Sequence, residues 1–531
     1  MTFIDFADNG HAVPSHTDIC IVGAGVMGLA LASHLLSHSR RQVLLVEEGG
    51  LEDTETSSNV PAELSGGDVA SAVAGSRARG FGGSSRRWGG QALPFSALDL
   101  SDRPFLPLRG GWAISTEELN RWYAVADRFL GLSSMPFETD LWRNPDVTAP
   151  FGKGQELELA LSKYSPHAYL ASVHRAAIAQ SRQADCLLHA KVAAIHLAGS
   201  GLKADAVEIR NLHGRTASIS ARVVVLCARG IENPRILLSS HQEDGKEIGN
   251  QHDLVGRYYQ DHVGFFAASL EPIDWNRFRH LFASFVPGNQ KYVPKLNLSQ
   301  SLQRELNLLN VTGNLDVQED ANSPRNCARR IYHALRRTRP HGQPLLSSLQ
   351  DLRRLLATTP ETMGLLSSHL LSRRIGIPRN GRHFLMANAE SEPLHGSRIS
   401  LSDQHDDHGL RKPQVNWMLS DLTLKALRRY GQALQSTLES SGIASVKLSP
   451  YLIDPNANWK ERAYSLYHHM GATRMSYRPR EGVVDAFGCI HGLANLYVSG
   501  TSVLPTGSAS NPSYTALALT FRTADHILRE P

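Results

Sequence analysis

Two histidines and an asparagine near the end of the chain have the side chains needed to draw a proton from a hydroxyl group. His468 and His469 stand in Tyr467-His468-His469-Met470-Gly471-Ala472-Thr473-Arg474-Met475, and Asn511 precedes Pro512 in Ala509-Ser510-Asn511-Pro512-Ser513-Tyr514-Thr515. A neutral imidazole can accept a hydroxyl proton at physiological pH. An amide N–H can hold the developing oxyanion without itself titrating. Oxidising an alcohol carbon with such a pair also requires a hydride acceptor, which a flavin supplies. Far upstream the chain has a seat for a dinucleotide in Gly23-Ala24-Gly25-Val26-Met27-Gly28.

The elements around that loop read as one βαβ unit. Thr17–Val22 is a buried strand, Val26–Ser37 an apolar helix, and Gln42–Glu47 the next, parallel, strand. Gly23 allows a tight turn, Gly25 lets a pyrophosphate approach the backbone, and Gly28 packs helix on strand. The helix start then offers free N–H groups and a partial positive charge. Glu47 comes 19 residues after Gly28, with Glu48 beside it, where a carboxylate can accept from an adenosine ribose. Gly80 to Gly90 holds five glycines in eleven residues, together with Phe81, Ser84 and Trp88, which suggests backbone held close to something flat or anionic. Leu187–Ile195 and Arg222–Ala228 read as further strands, the second followed by a helix from Arg235, so the nucleotide domain is discontinuous. Ser115-Thr116-Glu117-Glu118 opens a structural helix that ends at Gly131. From 266 to 420 the apolar runs become short and are broken by Pro, Gly and Asp, the pattern of an antiparallel sheet.

These motifs resemble the glucose–methanol–choline (GMC) oxidoreductase family over nearly the whole chain, most weakly from 320 to 380. The His–x–x–Gly–x–x–Arg–Met spacing falls on His468, Gly471 and Arg474-Met475, which selects His468 over His469 as the base. Asn511 before Pro512 is similar to the His–Asn pair of the pyranose-oxidase-like and choline-oxidase-like branch. The resemblance implies an α/β fold: an FAD-binding Rossmann-like domain (15–95, 183–265 and 460–531) interleaved with a substrate domain (96–182 and 266–459) built on an antiparallel sheet plus helices. It further implies that Gly82, Gly83, Ser84, Trp88 and Gly89 lie over the isoalloxazine. Val192 and Ala228 flank the adenosine, and Gly500, Thr501, Asn511, Pro512 and Thr515 support the flavin. Branches with covalent flavin have a histidine where this chain has Arg87, before Trp88, so noncovalent FAD is expected. His262, in Tyr259-Gln260-Asp261-His262, matches a family turn and reads as structural.

The 531 residues, with 41% apolar and 20% charged, have an ordinary globular composition with room for a large core. The N-terminus does not read as a signal peptide, and no apolar run is long enough to span a membrane. Five scattered cysteines without a CxxC pair fit a reducing compartment, so a cytoplasmic location is expected. From Arg325 to Arg382 there are twelve arginines against two acids, +10 for a stretch whose remainder sums to −5. Its leucine-faced segment 345–356 and the run Leu365–Leu371 read as a helical lid or core packing, or as attachment to an anionic membrane surface or a carrier partner. Asp403–His408 reads as a solvated hairpin loop rather than a metal cluster; no metal and no nucleic acid are expected. The expected substrate is a sugar, amino sugar or glycoside hydroxyl, with dioxygen, a quinone or a redox protein reoxidising the flavin. Alternatives are an apolar or lipid-linked alcohol and, from another class, an NAD(P)H-dependent two-dinucleotide flavoprotein. The latter lacks its second glycine motif at Val225–Gly230.

Overall fold

The computed structural model describes residues 2–530 except 9, 11, 52–63, 70–77, 108–110, 138–143, 153, 168, 336–345 and 358–373. Five helices matter for the site: α1 (Val26–His38), α2 (Thr116–Leu130), α3 (Arg229–Leu238), α4 (Asp421–Ser440) and α5 (Pro512–Arg529).

Branched apolar runs such as Val43–Val46, buried at every position, can be satisfied only in a sheet covered on both faces. They form the first of two eight-stranded sheets. Its parallel core runs Thr2–Asp5, Ala184–Leu188, Val43–Val46, His16–Val22, Thr216–Leu226. The long strand Thr216–Leu226 then divides its free edge. Thr216–Ser220 pairs antiparallel with Ala204–Arg210, which carries Lys191–Leu197, and Val224–Leu226 pairs parallel with Leu496–Val498. The second sheet is antiparallel throughout, in the order Ala444–Leu448, Val263–Pro272, Arg382–Ala389, Val311–Gln318, Lys291–Leu298, Leu157–Tyr164, Gln91–Ala92. This is the mixed α/β architecture expected from the sequence, a Rossmann-like sheet joined to an antiparallel one.

Three local readings change. Leu187–Ile195 is two strands, because the chain turns at His189 with a left-handed φ of 54°. Helix α3 starts at Arg229, not Arg235, since the Asn233 Oδ1 accepts from the Ala228 N–H and holds its first turn. Asp403–His408 does lie at the hairpin between Arg398–His405 and Arg411–Trp417, with Asp403, Gln404, His405 and Asp407 exposed. It is solvated only in part: His408 is buried, and Asp406 pairs with Lys191 at 2.8 Å. Leu346–Ala357 is helical, with Leu352 and Leu356 exposed; Leu365–Leu371 lies outside the described residues. No helix among the described residues is long and apolar enough to cross a membrane.

Helix α4 covers one face of the second sheet. Tyr430 donates to the Leu296 carbonyl, and a Cβ at Gly313 would lie 2.1 Å from its hydroxyl oxygen. Gly313→Ala should therefore destabilise the protein by about 1–3 kcal/mol, read as a lowered thermal midpoint with flavin content per folded molecule unchanged. An unaltered midpoint would show that α4 does not seat this tightly.

Candidate active site

The glycine loop closes as its sequence requires. Gly23 has φ +101°, and a Cβ on Gly28 would lie 1.9 Å from the Gly23 carbonyl oxygen, so α1 can approach the strand only with glycine there. Gly25 is the N-cap of α1 and contributes no side-chain cap, which leaves the first-turn N–H groups facing outward. The second glycine cluster packs onto this loop. The Gly82 N–H donates to the Ala24 carbonyl at 2.8 Å, and a Cβ on Gly83 would come within 2.9 Å of the Gly25 Cα.

Two adjoining cavities meet at Gly25, Cys227 and Arg229. The first is lined by Gly23, Glu47, Glu48, Lys191, Val192 and Ala228, among others. The second is lined by Ser84, Trp88, Gly89, His468, Gly500, Thr501, Asn511 and Pro512. Together they make one elongated cleft that crosses the N-terminus of α1, which is the shape and polarity a dinucleotide demands. Gly28, Gly82 and Gly83 stand behind the cleft as packing glycines. Thr515 does not line it; its hydroxyl is hydrogen-bonded to that of Tyr123 at 2.7 Å. Glu47 is buried and accepts from the N–H groups of Ala24 (2.9 Å), Gly49 (3.0 Å) and Gly80 (2.8 Å), tying both glycine segments to the strand end. Burial raises its pKa, partly offset by those bonds. Glu48 pairs instead with Arg79 and Lys191. The Val192 carbonyl accepts from Arg235 at 2.6 Å.

At the far end of the second cavity a chain of hydrogen bonds fixes the protons. His262 Nε2 lies 3.1 Å from the Gly507 carbonyl, His262 Nδ1 lies 2.8 Å from His468 Nδ1, and His468 Nε2 lies 3.2 Å from Asn511 Nδ2. A carbonyl only accepts, so His262 Nε2 bears the hydrogen. The ring is neutral, because burial pushes its pKa down to about 4, and its Nδ1 must therefore accept. His468 Nδ1 is then the donor, which leaves the lone pair on Nε2, facing the amide N–H of Asn511. Burial, then His262, Lys295 and His469, lower the pKa of His468 well below the ordinary 6.5. The neutral ring is thus a base whose one unprotonated nitrogen is held by an amide donor.

The supports are buried. Asp261 Oδ1 accepts from the His262 and His468 N–H groups, each at 2.7 Å, and its Oδ2 accepts from Ser465 Oγ at 2.5 Å. Burial raises this carboxyl to about 7. The Asn511 side chain makes no cap to its own helix α5, so it does not serve as an ordinary N-cap asparagine, and its Oδ1 is buried without a partner among the described residues. Glu390, paired with Arg103 at 2.7 and 2.8 Å, accepts from the Ser508 N–H and so anchors the loop leading to Asn511. His469 lines the same cavity but is not in this chain of hydrogen bonds: its Nε2 lies 3.8 Å from Asp261 Oδ2, and its carbonyl accepts from Thr501 Oγ1 at 2.6 Å. His262 was read from sequence as structural. Its place beside His468 could not be seen there, since more than two hundred residues separate the two.

A dinucleotide cleft ending at a neutral histidine and an amide has the groups that flavin-dependent oxidation of an alcohol requires, and the comparisons with known proteins point the same way. Residues 393–520 match the family model described as GMC oxidoreductase, and residues 18–246 the model described as FAD dependent oxidoreductase. The C-terminal part of the chain is thus similar to GMC oxidoreductases and the N-terminal part to FAD dependent oxidoreductases. It is 23% identical over 320 residues to the fructose dehydrogenase large subunit of Gluconobacter japonicus, a match covering 59% of this chain and 48% of that one. The chain thus spans about half the length of that relative. It is 24% identical to 2-methyl-1,2-propanediol dehydrogenase of Mycolicibacterium austroafricanum, covering 84% of this chain and 80% of the relative. Among solved structures, pyridoxine 4-oxidase from Mesorbium loti (TM-score 0.59, 16% identity, 97% of this chain and 100% of that one) shares the fold. So does a fungal aryl-alcohol oxidase (TM-score 0.60, 14% identity, 97% and 99%).

A histidine with a depressed pKa stays neutral, and able to accept a proton, at every pH above that depressed value. Flavin reduction by substrate should accordingly show no histidine inflection at or above 6.5. Any inflection near 7 belongs to Asp261 and should disappear in Asp261→Asn. One that survives that substitution, measured by anaerobic stopped-flow across pH 5 to 9, would contradict His468 as a neutral base.

Proposed function

We propose that the protein oxidises a carbinol carbon of a sugar, amino sugar or glycoside, with His468 as base and Asn511 as its partner. The observation that carries this reading is the Asn511 Nδ2 to His468 Nε2 contact, which sets the imidazole lone pair and the amide N–H side by side in the cavity, where an incoming hydroxyl can take the amide's place at Nε2. A hydroxyl placed there gives its proton to His468 Nε2, while Asn511 Nδ2–H holds the oxygen as negative charge grows on it. FAD, when bound, supplies the hydride acceptor. The residues fit that group: glycine-loop backbone and the α1 N-terminus at the middle of the cleft, Glu48 and Val192 at one end, and Thr501 and Pro512 at the other. The α5 N-terminus opens on the same cavity and favours negative charge there. The expected FAD domain, 15–95 with 183–265 and 460–531, holds all of these residues; the substrate domain is 96–182 with 266–459.

A sugar-type substrate is supported by the names of two relatives, the fructose dehydrogenase large subunit and a C-glycoside 3-oxidase of Arthrobacter globiformis, the latter 28% identical over 127 residues. The longest match, to a diol dehydrogenase, favours a second reading, a small aliphatic diol. Noncovalent attachment is supported by Arg87, which lines the cavity where the covalent branches place a histidine; a guanidinium cannot form that histidyl bond.

Anaerobic mixing of the yellow protein with sugars, glycosides and diols should bleach the flavin with the first two groups, and recolouring in air separates an oxidase from a dehydrogenase. His468→Ala should slow reduction by on the order of a hundredfold or more while substrate still binds; unchanged reduction would remove His468 from the reaction. Acid precipitation should release all colour into the supernatant. Colour held in the pellet would disprove noncovalent FAD.

A further inference from the structure

Arg229 stands where the two cavities meet, and it lines both. Its backbone has φ +78°, in the left-handed region that suits glycine and costs other residues of order 1–3 kcal/mol. Only glycine would relieve this strain, so the arginine side chain has to return something for it. The guanidinium lies against the second glycine segment: Nη2 is 3.5 Å from the Cβ position of Gly83, and it donates to the Ala78 carbonyl. It is also close enough to Glu47 to pull that carboxyl's pKa down. The Gly25 N-cap, the start of α3 and this side chain therefore converge on one stretch of the cleft.

We propose that Arg229 is a cofactor-anchoring residue, supplying the positive charge that meets the diphosphate of the bound dinucleotide. This rests on reading the cleft as the FAD site. A diphosphate brings two negative charges into a half-buried groove, and backbone N–H groups donate hydrogen bonds without any full charge. A guanidinium adds two directed donors and a unit charge, which a point-charge lysine matches in sign but not in geometry. The side chain is flexible enough to exchange the Ala78 carbonyl for a phosphate oxygen, the stronger acceptor.

The test is the dissociation constant of FAD, from free flavin fluorescence in dilution series of the purified holoenzyme. Arg229→Gly and Arg229→Gln should weaken FAD by roughly tenfold to a hundredfold and flatten the salt dependence shown by the wild type. Arg229→Lys should recover a large part of that loss, although it keeps the strained backbone. Wild-type affinity in the Gly and Gln variants overturns the proposal, as does a Lys variant no better than Gln, which would mean a purely structural role. A wild-type protein that binds no FAD would refute the reading of the cleft itself, and the proposal with it.

Discussion

The hydrogen bond between His262 and His468 is the constraint around which the catalytic end is built. Two imidazoles meeting nitrogen to nitrogen must divide one hydrogen between them, and the Gly507 carbonyl at the far side of His262 decides which ring holds it. Because that carbonyl is fixed backbone, the choice passes along the chain to His468 Nε2 without any charged group taking part. A carboxylate in the place of His262 would fix the same tautomer but would raise the basicity of the ring. Here the neighbours of His468 are a neutral imidazole, a second histidine and the buried Lys295, each disfavouring an imidazolium. A proton taken up by His468 is therefore held weakly, so its transfer is favoured only while negative charge is building on the substrate oxygen. In the proposed reaction, such a base would take the proton as the hydride departs rather than ionise the alcohol in advance.

Such a dry chain is possible because the fold supplies backbone to it from three distant segments. Asp261 and His262 lead into the second sheet, His468 follows the short strand Tyr464–Ser465 on that sheet's edge, and Gly507 to Asn511 lead into α5. One buried carboxylate, Asp261, accepts from the N–H groups of the first two segments, and another, Glu390, from that of Ser508 in the third. Removing either would leave unpaired donors inside the protein, at about 1–3 kcal/mol each, so stability and register of the site are held by the same bonds.

Much of this was legible in the sequence, for identifiable reasons. The glycine loop, the fully apolar strands and the Asn-Pro helix start are local signals, since steric needs at Gly23 and Gly28 and the fixed φ of Pro512 act within a few residues. The α/β class followed from them. Helix α3 was placed too late because its first turn is stabilised by a side chain five residues further on, Asn233, which no periodicity reveals. Asp406 and His408 looked solvated because six polar residues in a row ordinarily are; Lys191, from a different sheet, makes their burial affordable. His262 carried no signal beyond its own type, as its meaning depends on a partner, His468, brought close only by the fold.

Strain marks the same boundary. Non-glycine residues with left-handed backbone include His189, Arg229, Tyr258, Tyr467 and Ser508. Tyr467 immediately precedes the proposed base, Ser508 lies in the loop before Asn511, and Arg229 lines the middle of the cleft. His189 turns the chain between two strands beside the adenosine end, its Nε2 2.8 Å from the Cβ position of Gly50, and Tyr258 presents its carbonyl to Gly471. Each costs of order 1–3 kcal/mol; at the two nearest the proposed base and its partner the backbone N–H is held by a side chain, as Ser465 Oγ accepts from the Tyr467 N–H and Glu390 from that of Ser508. Glycine at these positions would remove the strain but would let the turns relax among several conformations. A side chain at positive φ narrows those choices once its neighbours force it there. The stiffness that keeps His468 and Asn511 side by side comes from this over-determination, which no single bond could provide.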